Sequence, residues 1–95
     1  MRIEVGQKFD FEIDREDVED EDCDTIIATW YHDGNPIFVE LYPTKSLLSE
    51  LRKFFNTTSE RTALISITRV SKLKYIVKPT VVVLNHRTNK LNELR

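Results

Sequence analysis

The chain predicts a mainly β domain with its elements in the order β-β-β-α-β-β, and three observations carry that prediction. Thr25 to Tyr42 holds two apolar, β-branched and aromatic segments around Asp33-Gly34, the signature of a tight hairpin. Gln7 to Asp14 and Ala63 to Thr68 alternate apolar with polar residues at the period of a half-buried strand. Only Lys45 to Phe55 repeats its apolar residues at helical spacing.

In the first strand, Phe9, Phe11 and Ile13 alternate with Lys8, Asp10 and Glu12. Arg15 to Asp24 follows, so dense in charge that almost nothing is left to bury, and it predicts a solvated acidic loop over 15-24. In the hairpin a two-residue turn places opposite each other residues whose numbers sum to about 67. Ile26, Ala28 and Trp30 then share a core face with Ile37, Val39 and Leu41. The other face carries Ile27, Thr29 and Tyr31 beside Phe38, Glu40 and Tyr42. Thr44 or Ser46 caps the helix over about Lys45 to Phe55, whose apolar side is Leu47, Leu48, Leu51, Phe54 and Phe55. After the fourth strand, Ser71 to Lys74 forms a turn into a fifth. Pro79, which cannot donate to a ladder, splits that strand into Tyr75 to Lys78 and Thr80 to Leu84. Residues 85-95 are polar, without a sustained period, and predict a flexible tail or a short terminal helix.

The 95 residues, 40% of them hydrophobic, suffice for one modest core, so residues 1-84 make a single domain. There is no apolar run of roughly 18 residues and no apolar stretch near Met1, which predicts a soluble, cytoplasmic protein without a membrane segment. The abundance of Ile, Val, Lys and Glu suits a heat-adapted microbe or one of its viruses or plasmids. Cys23 stands alone between Asp22 and Asp24, whose carboxylates disfavour its thiolate. Two glycines supply no phosphate-binding loop, and one cysteine with the unlinked His32 and His86 makes no zinc pattern. Nothing in the chain predicts a catalytic residue, a cofactor or a metal, so it reads as non-enzymatic.

The formal net charge of −2 conceals a strong asymmetry. Residues 1-24 hold eleven acids against three bases, whereas from Arg61 onward eight bases face Glu93 alone. A weakly acidic chain can therefore still present a cationic surface.

In element order, residues 7 to about 84 resemble the oligonucleotide/oligosaccharide-binding fold, although an SH3-like or other small barrel shares the pattern. The resemblance is one of topology, with no signature motif. It implies a five-stranded barrel with one helix between strands 3 and 4, binding single-stranded DNA or RNA across strands 2 and 3. The first strand of that fold commonly bends at a glycine or bulge, and here the glycines are only Gly6 and Gly34. On this reading Tyr31, Phe38 and Tyr42, with Thr29 beside them, stack bases largely without sequence preference, while Arg69, Lys72, Lys74 and Lys78 meet phosphates. Glu40 and the acidic run count against that partner. A competing reading is a homodimeric interaction module that pairs through Thr80 to Leu84 and contacts a basic partner with its acidic loop.

Overall fold

A computed structural model describes residues 1–22 and 24–81. Along the chain lie β1 (Lys8–Asp14), α1 (Arg15–Glu19), β2 (Ile26–His32), β3 (Asn35–Leu41), α2 (Lys45–Phe55), β4 (Thr62–Ser71) and β5 (Lys74–Pro79). The five strands form one antiparallel sheet in the order β3-β2-β1-β4-β5, and α2 lies between strands 3 and 4 as the sequence predicts. Asp33 (φ 51) and Gly34 (φ 78) both take positive φ, the requirement of a type I′ turn. The turn sets the predicted register, with Ile26 opposite Leu41, Ala28 opposite Val39 and Trp30 opposite Ile37.

Alternation sorts each strand into a buried and an open side. Phe11 and Ile13 of β1, Ile26 and Ala28 of β2, Leu41 of β3, Ile65 and Ile67 of β4 and Tyr75 of β5 are buried on the same side. Leu47, Leu51 and Phe55, four residues apart on α2, close over them. Each such fully buried side chain contributes about 1.5–3 kcal/mol. The Thr44 hydroxyl caps α2 by accepting from the Leu47 amide at 3.2 Å, and itself donates to the Tyr75 hydroxyl at 3.0 Å.

Two expectations are corrected. The sheet is not closed into a barrel: β3 and β5 stand at opposite edges. Closure needs a sharply bent strand, and β1 runs in unbroken register against β4 from Lys8 opposite Thr68 to Asp14 opposite Thr62. The ladder shifts only between Arg69 and Ser71, where β4 meets β5. The N-terminal segment spans the helix side instead. The Met1 amino group donates to the Glu40 carbonyl, and the Met1 carbonyl accepts from the Tyr42 amide at 2.8 Å. At the far end the Gly6 amide donates to the Arg69 carbonyl at 2.8 Å, with Ile3 buried between.

The second correction concerns the acidic run, whose first half is a helix rather than a loop. Val18, its one aliphatic side chain, is 0% exposed. The Arg15 guanidinium donates to the carbonyls of Glu60, at 3.0 Å, and of Thr58, pairs with Glu19 at 3.3 Å and lies over the Phe55 ring at 5.2 Å. Arg52 Nε donates to the Val18 carbonyl at 3.0 Å. A five-residue helix is unstable alone, so these tertiary contacts hold it. Asp20, Glu21, Asp22 and Asp24 remain exposed. Cys23, His86, residues 82–84 of the predicted contact strand and the 85–95 tail lie outside the described residues.

Candidate binding face

No described helix packs on the open side of the sheet, which is lined by the even-numbered residues of β1, β3, β4 and β5 and the odd-numbered residues of β2. Strand register arranges them in rows. Phe38, Thr29, Glu12 and Leu64 form one row, Asp10, Ser66 and Lys78 a second, and Lys8, Thr68 and Ile76 a third. Phe38, on edge strand β3, is 83% exposed and Ile27 beside it 55%. Four strand spacings, about 19 Å, separate β3 from β5.

The predicted site residues divide into two groups and some remainders. Lys72 in the β4–β5 turn and Lys74 and Lys78 on β5 are exposed, and β1 adds an exposed Lys8. None of the four belongs to an ion pair among the described residues, where the pairs are Arg15–Glu19, Lys53–Glu50 and Arg61–Glu16. Lys8 had no sequence signal of its own, because only the β1–β4 pairing brings it to this corner.

Arg69 does not join the lysines. Its odd-numbered position turns it to the helix side, where its guanidinium donates to the carbonyls of Ile3 at 2.8 Å and Lys72 at 2.7 Å. It also lies over the Tyr75 ring at 5.3 Å. That guanidinium fastens the N-terminal segment to the β4–β5 turn.

Tyr31, Phe38 and Tyr42 do not stack on one another. The Tyr31 hydroxyl donates to Glu12 Oε2 at 3.5 Å, and the Tyr42 hydroxyl to Glu40 Oε2 at 2.9 Å. Burial, followed by the Glu12 charge, raises the Tyr31 phenol above its ordinary range. The hydrogen bond to Glu40, followed by that residue's charge, does the same for Tyr42, against an opposing pull from Arg2. Phe38 is thus a bare ring with a phenol-oriented carboxylate next along its strand and another two strands inward. Thr29 fills the register position between Phe38 and Glu12. Trp30 lies on the helix side as its parity predicts, edge-on to Phe9 at 5.5 Å and tilted against His32 at 4.8 Å.

Both sheet edges are guarded against strand addition. A two-residue turn points the backbone groups of Pro36, Phe38 and Glu40 outward on β3. Pro36 has no amide hydrogen there, and Met1 occupies the Glu40 carbonyl and the Tyr42 amide. The β5 edge carries Lys74, Lys78 and Pro79, after which the Thr80 amide still reaches the Leu64 carbonyl at 3.1 Å. The acidic segment leaves the sheet at the end of β1, whereas the β4–β5 turn lies at the opposite end, because β1 and β4 are antiparallel. A groove of about 770 Å³ beside the start of α2 mixes Arg2, Lys45 and Arg52 with Glu21 and Asp24.

No described helix is long and apolar enough to cross a membrane. Compared with known proteins, the chain matches no family model, no curated protein and no solved structure.

Proposed function

We propose that this is a non-enzymatic module that binds single-stranded nucleic acid on the open face of its sheet. The observation that carries the reading is, among the described residues, a sheet face that no helix covers, bearing a protruding phenylalanine and, at one corner of it, four lysines outside any ion pair. Phosphates neutralised at the Lys8, Lys72, Lys74 and Lys78 corner release counterions, and a strand running from there toward β3 lays a base on Phe38. The acidic residues of α1 lie at the other end of the sheet from the turn carrying Lys72, while Asp10 and Glu12 of β1 face the path between the lysines and Phe38.

Fluorescence anisotropy of a labelled oligonucleotide tests it. Binding is expected at micromolar protein in low salt, weaker in high salt, and weaker by about 1–3 kcal/mol in Phe38→Ala if one base stacks there. An absence of binding at low salt overturns the reading.

A second reading rests on the two tyrosine–glutamate pairs beside Phe38. A ring flanked by carboxylates also suits an arginine or lysine side chain of a protein partner. An arginine-rich peptide that binds wild type and not Phe38→Ala, with no oligonucleotide bound, favours it.

A further inference from the structure

We infer that the face prefers cytosine and adenine, whose amino groups stand at N4 and N6, over thymine and uracil, which carry a carbonyl at that position. This rests on the single-strand reading above. A nucleic-acid surface gains nothing from carboxylates facing phosphates, yet one stands next to Phe38, the most exposed aromatic ring among the described residues, and another two strands inward from it. Glu40 follows Phe38 on the same face of β3, and Glu12 lies in Phe38's own row beyond Thr29. Neither forms an ion pair among the described residues. Each has one oxygen engaged by a phenol, Tyr42 for Glu40 at 2.9 Å and Tyr31 for Glu12 at 3.5 Å. The phenols restrain the carboxylates and leave the second oxygen of each to accept.

An ionised carboxylate accepts hydrogen bonds and cannot donate them. A base lying on Phe38 projects its edge toward one or the other. Cytosine offers the N4 amino group and adenine the N6 amino group, both donors to such an oxygen. Thymine and uracil place the O4 carbonyl at the same position, lone pair against lone pair, so the carboxylate oxygen facing it gains no hydrogen bond from that group. Because the acceptor is charged, the contact made by the amino group is stronger than that of a neutral pair.

The test compares labelled strands of cytidine only and thymidine only, each about twelve nucleotides long, a length in the range one such domain covers. Wild type, Glu40→Gln and Glu12→Gln are measured by anisotropy in the same low-salt buffer. Wild type is expected to bind the cytidine strand roughly tenfold more tightly, the worth of one charge-assisted hydrogen bond partly exposed to water. At least one glutamine variant, whose amide both donates and accepts, should narrow the ratio to about twofold or less, mainly by tightening thymidine binding. Equal affinity of wild type for the two strands overturns the inference while leaving the single-strand reading intact. A cytidine preference unchanged in both variants also overturns it, since the selectivity then lies elsewhere. If neither strand binds, the reading beneath falls and the inference with it.

Discussion

Tyr31 and Tyr42 show how far residue type can mislead about residue role. Both are aromatic, on the face opposite the core, and suited to stacking, yet each spends its hydroxyl on a glutamate, and only Phe38 keeps a free ring. Arg69 was legible as a base near a turn, but not as the clasp on the N-terminal segment, because its partners are the carbonyls of Ile3 and Lys72. Backbone carbonyls are available at every residue and leave no trace in a sequence. Asp17 carries a prediction at this scale. Burial, with Asp14, Glu16 and Asp20 adding to it, raises its carboxyl above the ordinary value. A carboxyl raised in the folded state stabilises below its unfolded pKa, and that contribution is lost as the pH rises through the folded value. Asp17→Asn should therefore raise the thermal midpoint at neutral pH and flatten part of the decline in stability that begins as the pH rises through the ordinary carboxylate range, as followed by circular dichroism across pH. A lower midpoint for the variant at neutral pH would contradict the assignment.

Among the elements, α1 marks the boundary of what pattern can predict. The hairpin and α2 were readable because their signals are local: a turn dipeptide that tolerates positive φ, an alternating face, an apolar stripe of about four-residue spacing behind a threonine cap. The α1 segment has a single apolar residue, too little for any periodicity, and it folds because Val18 meets a core built from distant strands. Val18→Ala should cost about 1–3 kcal/mol, read as a lower urea midpoint, the loss of two buried methyl groups plus a cavity. Hydrogen exchange should show the residue 15–19 amides losing protection before those of β1 and β4. Uniform loss across the sheet would mean that α1 is coupled to the fold more strongly than its five residues suggest.

For the molecule as a whole, the distribution of charge over an open sheet matters more than its net value. If Lys8, Lys72, Lys74 and Lys78 each neutralise a phosphate, the slope of log affinity against log salt is expected near −2 to −3, at roughly −0.7 per contact on a single strand. Lys74→Gln and Lys78→Gln should each remove about one such contact from the slope. Arg69→Gln should leave the slope unchanged and cost roughly 1–3 kcal/mol of stability, since its guanidinium satisfies carbonyls rather than a ligand. An unchanged slope in both lysine variants would remove that corner from the interface. The five strands with α2 between the third and fourth, the hairpin register and the bounds of α2 were determined by the sequence alone, because alternation, turn chemistry and capping act between residues close in the chain. The tertiary structure decided that the sheet stays open, that half the acidic run is helical, that Lys8 joins the basic corner and that two tyrosines orient carboxylates. The first three depend on pairings such as β1 with β4 and Arg15 with Thr58, between residues more than 40 positions apart, and no local pattern encodes which distant partner will arrive.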